Sequence, residues 1–110
     1  MNYSVVIPAF NEEHYIGATL QALRRAMTPL PYSGEIIVTD NRSTDRTPEI
    51  AREFGAKVVY ESINQISRAR NAGAAQAGGQ LLVFVDADTL VPPTLLRTVI
   101  DRLTIGTVGG

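Results

Sequence analysis

Two aspartates one residue apart, Asp86 and Asp88, follow the apolar run Leu81-Leu82-Val83-Phe84-Val85. Carboxylate oxygens are hard ligands. A pair of them leaving a strand end suits Mg²⁺ or Mn²⁺, ions that also take oxygens from a diphosphate. An ion held there would act as a Lewis acid toward a leaving diphosphate. The plainer reading is that both aspartates cap the turn before Pro92. The triplet is common on its own, so its weight comes from the buried strand that precedes it.

Three other polar segments have side chains suited to the same ligand. In Asp40-Asn41-Arg42-Ser43-Thr44-Asp45-Arg46-Thr47, a carboxylate directly after a strand can accept hydrogen bonds from a base or ribose hydroxyl. Asp40 is read as that contact. Ser43, Thr44 and Asp45 are read as loop, with Asp45 or Thr47 capping the next helix. In Pro8-Ala9-Phe10-Asn11-Glu12, Phe10 offers a face to a planar base; alternatively Phe10 is core and Asn11-Glu12 a helix cap. Both readings hold together, because a helix N-terminus is also an anion site. In Ser67-Arg68-Ala69-Arg70-Asn71-Ala72-Gly73, a guanidinium can reach a diphosphate, and Arg70 is preferred to Arg68. A solvated basic face explains that segment equally well. His14, the single histidine, reads as exposed and structural. Neither a GxGxxG nor a GxxxxGK phosphate loop is present.

These segments need elements to position them. Four apolar, β-branched runs read as strands: Tyr3 to Ile7, Glu35 to Thr39, Lys57 to Tyr60 and Leu81 to Val85. Each is nearly continuous in hydrophobicity, as expected of a strand covered on both faces. Between them lie helical patterns. Ile16, Leu20, Leu23 and Met27 form one stripe, with Asn11 as N-cap. Thr47-Pro48 opens a second helix that stops at Gly55. A third spans Ser67 to Ala77 and stops at Gly78-Gly79, its small residues permitting close approach to a sheet. A fourth starts near Pro93, with Leu95, Leu96, Val99, Ile100 and Leu103 on its buried face. Strand alternating with helix predicts an α/β, Rossmann-like open, mainly parallel sheet with helices on both faces. Ligands of such sheets bind beyond the carboxyl ends of the strands, where all four polar segments fall. Thr107-Val108-Gly109-Gly110 reads as the start of a fifth strand cut short.

The 110 residues allow one compact domain, and 45% hydrophobic with 19% charged residues is a globular composition. A net charge of -1 gives no general attraction to nucleic acid or anionic membrane. The absence of cysteine excludes disulfides, thiolate metal sites and a cysteine nucleophile. No apolar stretch is long enough for a transmembrane segment, and no basic start with a long apolar core marks a signal peptide. The chain is read as cytoplasmic, with a place at the cytoplasmic face of a membrane left open.

Together the four segments resemble the family 2 glycosyltransferases of the GT-A fold. Val5-Val6-Ile7-Pro8-Ala9-Phe10-Asn11-Glu12-Glu13 is similar to that family's opening signature, and Ala69-Arg70-Asn71-Ala72-Gly73 to its third motif. Asp86-Ala87-Asp88 is similar to its DxD motif. Asp40 to Thr47 resembles its Asp-Asp-Gly-Ser-Thr-Asp-x-Thr loop with two departures, Asn41 for the second aspartate and Arg42 for the glycine. The resemblance implies a donor-binding domain over 1–110, the N-terminal half of a GT-A enzyme. It would bind a nucleoside diphosphate sugar, a UDP or GDP sugar, with Mg²⁺ or Mn²⁺. Pro8, Ala9, Phe10, Glu12 and Asp40 would face base and ribose, and Arg70 the diphosphate. Asp86 would hold the ribose or sugar side, and Asp88 the metal. Family members usually invert the anomeric centre with a carboxylate base from the second half, so no general base is assigned here. The alternative is a non-catalytic nucleotide-binding or interaction module of the same fold. A phospho-accepting signalling domain fits poorly, because Pro8-Ala9 stand where it needs an acidic cluster. An incomplete sheet would expose an edge, so self-association is also expected.

Overall fold

The computed structural model describes residues 2–109, with side chains described from 2 to 102. Strands β1 (Tyr3–Ala9), β2 (Gly34–Asp40), β3 (Lys57–Tyr60) and β4 (Leu81–Phe84) alternate with helices α1 (Ile16–Met27), α2 (Thr47–Glu53), α3 (Ile66–Ala75) and α4 (Pro93–Gly109). All strand pairings are parallel, in the order β3-β2-β1-β4. The chain thus moves outward from β1 to β3, then crosses back to pair β4 with the other side of β1. A right-handed connection puts its helix on one face when moving outward and on the opposite face when returning. The packing of the three crossover helices α1, α2 and α3 follows this rule. Residues Tyr3, Val5, Ile7 and Ala9 of β1 share a core with Ile16, Leu20 and Leu23 of α1, Ala51 of α2, and Leu96 and Ile100 of α4. On the other face α3 lies against β1 and β2.

At Gly73 the helix makes that contact without a side chain of its own. A Cβ on Gly73 would stand 2.5 Å from Val6 Cγ1 and 2.6 Å from Thr39 Oγ1, so only a glycine lets the helix sit this close. The turn into β4 is equally tight. A Cβ on Gly79 would collide with the backbone of Tyr3 and Ser4. Two side chains pin that turn beneath the sheet. Ser4 Oγ donates to Glu35 Oε2 (2.6 Å), which also accepts the Gly78 N–H (2.7 Å), and the Gly79 N–H reaches Ser4 Oγ (2.9 Å).

Several boundaries differ from the sequence-based expectation. Helix α1 begins at Ile16, four residues after the turn that Asn11 opens, because Asn11 has a left-handed backbone (φ 51°) and cannot begin a helix. At the N-cap of α1, Tyr15 makes no side-chain capping bond. Full burial of Ile16, Leu20 and Leu23, at about 1.5–3 kcal/mol each, outweighs the roughly 1 kcal/mol of a missing cap. Thr47 lies inside α2, and Asp45 caps it by accepting the Thr47 N–H at 2.9 Å. Helix α3 ends at Ala75, before Gly78-Gly79, whose task is the tight turn. Coverage on both faces holds for the central β1 and β2, but β3 and β4 are edges, with Tyr60, Leu82 and Phe84 exposed. Leu95 is also exposed, since Leu96 and Ile100 define the buried face of α4, and the Leu103 side chain lies outside the described residues. The expected fifth strand is absent as far as Gly109, where the backbone continues α4. A helix satisfies its own backbone groups, whereas a strand needs a neighbour. Gly110 lies outside the described residues.

Two outcomes follow. Gly73→Ala is expected to lose about 1–3 kcal/mol by urea denaturation, since Val6 and Thr39 must be pushed aside. The hydrogen bond from Ser4, then that from the Gly78 backbone, hold the Glu35 carboxyl below its ordinary value of 4.5 despite partial burial. A depressed folded pKa stabilises above the unfolded value and is lost as pH falls through the folded one. Glu35→Gln should therefore flatten the acid limb of a stability–pH curve measured below about pH 4.5.

Candidate functional site

The return of β4 to β1 sets the segments that follow these two strands beside each other at the carboxyl edge of the sheet. A cleft of about 430 Å³ opens there. Its walls are Pro8, Ala9, Phe10 and Glu12 from the end of β1 and the turn beyond it, Asn41 just after β2, Asn64 from the β3–α3 loop, Ile66 at the start of α3, and Asp86, Ala87 and Asp88 after β4. Six of the residues singled out from sequence, Pro8, Ala9, Phe10, Glu12, Asp86 and Asp88, are brought together here. Phe10 is exposed on the wall rather than packed in the core.

The two aspartates are aimed by the alanine between them. Ala87 is buried in the core on the α1 face, and its carbonyl accepts the Thr19 hydroxyl at 2.7 Å. With the middle residue fixed inward, Asp86 and Asp88 on either side are left exposed. The Thr89 N–H bonds to the Asp86 carbonyl at 3.1 Å and turns the chain away after the pair.

The opposite wall is held by hydrogen bonds between two loops. The Asn11 N–H donates to Ser43 Oγ (3.0 Å), the Glu12 N–H to Thr47 Oγ1 (2.8 Å) and the Glu13 N–H to Asp45 Oδ2 (3.2 Å). In return the Thr44 N–H donates to Asn11 Oδ1 (2.8 Å) and the Arg46 N–H to Glu13 Oε2 (3.2 Å). Segment 43–47 thus does more than cap α2: it splints the loop that carries Phe10 and Glu12. Burial opposes ionisation of Asp45, but hydrogen bonds from Thr47 and from the Glu13 backbone outweigh it and lower its pKa. Glu12 is the reverse case. Burial, then the charges of Asp88 and Asp45, raise its carboxyl above the ordinary value. Negative charge therefore converges on the cleft. Among the described residues, no three His, Cys, Asp or Glu side chains gather closely enough to hold a metal unaided.

Two of the residues singled out stand apart from the lining. Asp40 is buried at the end of β2, and its Oδ1 accepts the Ser43 N–H at 3.0 Å. Arg70 lies over the Phe84 ring, 5.8 Å from its centroid, in a neighbouring groove of about 350 Å³ with mostly apolar walls. Asp86 borders both cavities. Conversely, Asn41, Asn64 and Ile66 line the cleft without having been named as contacts. Their position after β2 and β3 was the available signal. His14 is exposed, 3.9 Å from Glu13.

The family model described as Glycosyl transferase family 2 matches residues 4–109. This chain belongs to that family. It is 33% identical over 103 residues to the validoxylamine A glucosyltransferase of Streptomyces hygroscopicus subsp. limoneus, a match covering 88% of this chain and 22% of the relative. The structure of S. aureus TarS 1-349 in complex with UDP-GlcNAc superposes with a TM-score of 0.79 at 30% identity, over 94% of this chain and 31% of that one. Glucosyl-3-phosphoglycerate synthase from Mycobacterium tuberculosis, in complex with Mn²⁺, UDP and glucosyl-3-phosphoglycerate, gives 0.75 at 28% identity, over 93% and 39%. The chain thus spans about a third or less of the validoxylamine A glucosyltransferase and of the TarS 1-349 chain. No helix among the described residues is long and apolar enough to cross a membrane.

The Thr19 anchor is open to test. Thr19→Val keeps the shape but removes the donor and leaves the buried Ala87 carbonyl unpaired, so about 1–3 kcal/mol of stability should be lost. Equilibrium urea denaturation measures it.

Proposed function

We propose that this chain is the donor-binding part of a glycosyltransferase and holds a nucleoside diphosphate sugar, with Mg²⁺ or Mn²⁺, in the cleft between β1 and β4. The observation that carries this reading is the convergence of Phe10, Glu12, Asp86 and Asp88 on one cleft at the switch point of a parallel sheet, the place where such sheets bind nucleotides. A UDP sugar is favoured because the similar TarS and glucosyl-3-phosphoglycerate synthase structures carry UDP-GlcNAc and UDP.

The charge of the cleft supports the cation. Its lining holds three carboxylates and no basic side chain. Like charges about 4 Å apart repel by roughly 4 kcal/mol near a protein surface, so a diphosphate needs a divalent ion between it and these groups. Two aspartates alone suit Mg²⁺ or Mn²⁺, which keep sites for phosphate oxygens and water. When bound, the ion supplies Lewis-acid neutralisation of the leaving diphosphate. Asp88 is proposed as its ligand, with Asp86 as second ligand and as contact to the ribose or sugar. Phe10 offers its face to the base, framed by Pro8 and Ala9, and Glu12 accepts from base or ribose. Arg70 flanks the diphosphate side across Asp86. Asp40 reaches a ligand only if the Ser43 turn opens, and otherwise holds that turn. Inverting transfer also needs a carboxylate base toward the acceptor hydroxyl, which we assign to no residue of this chain.

Titration calorimetry with UDP and GDP, each with Mn²⁺, tests this reading. Binding should vanish on chelating the metal and weaken at least about tenfold in Asp88→Asn, on the scale of a lost charge-assisted contact. Absence of metal-dependent binding to either nucleotide would sink the proposal. Sugar transfer to added acceptors separates an enzyme from a binding module. The exposed edge strand β4, with Leu82 and Phe84 at its surface and Leu90 and Leu95 nearby in sequence, supports self-association as well. Light scattering should give a mass that rises with concentration, and a constant single-chain mass would count against it.

A further inference from the structure

We propose that Asn41 is a positioning residue for the cleft: its side-chain amide latches the β3–α3 loop so that Asn64 and Ile66 stand as a wall. This rests on the reading of the cleft as a nucleotide site. Asn41 is nearly buried, 5% exposed, and joins three parts of the chain. Its N–H donates to the Ala9 carbonyl of β1 at 2.8 Å. Its side-chain amide donates to two loop carbonyls, Glu61 at 3.0 Å and Ile63 at 2.7 Å. Its own carbonyl accepts the Asn64 side-chain amide at 2.9 Å. The amide orientation is not arbitrary, since the flipped form would set an oxygen against two carbonyl oxygens.

Without the latch the loop has mainly short-range support. The Ile63 N–H bonds to Glu61 Oε2 at 3.0 Å and the Gln65 N–H to the Ile63 carbonyl at 2.8 Å. Among the hydrogen bonds of the described residues, only that from the Glu61 N–H to the Asp40 carbonyl, at 2.9 Å, otherwise ties the loop to the sheet. An aspartate at position 41 has the same shape but, when ionised, nothing to donate, and would face both carbonyls with negative charge. Asn41, one of the two departures from the loop pattern of the resembling family, is thus matched to the loop it holds. The match is chemical rather than steric.

The test uses Asn41→Asp and Asn64→Ala in the full chain. Hydrogen exchange of residues 61–66 should accelerate in Asn41→Asp while the thermal transition stays cooperative. Affinity for UDP with Mn²⁺ should fall about tenfold, the scale of one or two lost hydrogen bonds. At saturating UDP, the half-saturating Mn²⁺ concentration should stay at the wild-type value, because Asp86 and Asp88 are untouched; general unfolding would move both. Asn64→Ala breaks one bond of the latch and should show a smaller loss in the same direction, even where Asn41→Asp fails to fold. Unchanged exchange in these variants, or a loosened loop with undiminished UDP affinity, overturns the proposal. A wild-type chain that binds no nucleoside diphosphate overturns instead the reading on which it rests.

Discussion

The return of β4 to the inner strand β1 is the constraint from which the candidate site derives. Strand β4 bonds to the edge of β1 that β2 leaves free, so the segments after β1 and β4 come to line one cleft. The ladder persists to the Val85 N–H, which reaches the Val6 carbonyl at 3.1 Å. Two residues further the Thr19 hydroxyl takes over and fixes Ala87. A sheet connection and one buried hydrogen bond, spanning 68 positions of sequence, therefore aim both aspartates. The close seating of α3 over Gly73 belongs to the same constraint, because α3 is the connection that carries the chain back.

The wall opposite the aspartates is built differently. Segment 43–47 meets the Asn11–Glu13 loop through hydrogen bonds of ordinary length, each worth about 1 kcal/mol net. None of these dominates, but together they hold two irregular loops in one geometry. Left-handed backbone at Asn11 and Arg42 is tolerated within this lattice, although it costs a non-glycine residue roughly 1–2 kcal/mol. The raised pKa of Glu12 shows the electrostatic consequence: burial and the charges of Asp88 and Asp45 make the carboxylate harder to ionise. A bound cation would relieve that repulsion.

Most of the architecture was legible in the residues. The parallel order of elements, the stripe Ile16-Leu20-Leu23, the stop at Gly55 and the gathering of strand-end segments at one edge follow from periodicity and turn chemistry, which are local. Where the expectation failed, a distant partner had intervened. Asn11 looks like a cap, but its side chain is engaged by Thr44 and its backbone by Ser43. Gly78-Gly79 looks like a helix stop, but Gly79 answers to the backbone of Tyr3 and Ser4. Leu95 fits the apolar stripe of α4, but the helix packs against α1 and its buried positions are Leu96 and Ile100.

The sequence by itself determined that Asp86 and Asp88 follow a strand, that Phe10 and Glu12 follow another, and that a parallel α/β sheet would bring both to one edge. Those conclusions need only side-chain type and spacing. Tertiary structure alone decided which residues share the cleft. It set Asp40 beneath the Ser43 turn and Arg70 on Phe84, and it brought in Asn41, Asn64 and Ile66. Strand order and loop-to-loop hydrogen bonds join positions 20 to 70 residues apart, and no local pattern records which of those partners will meet.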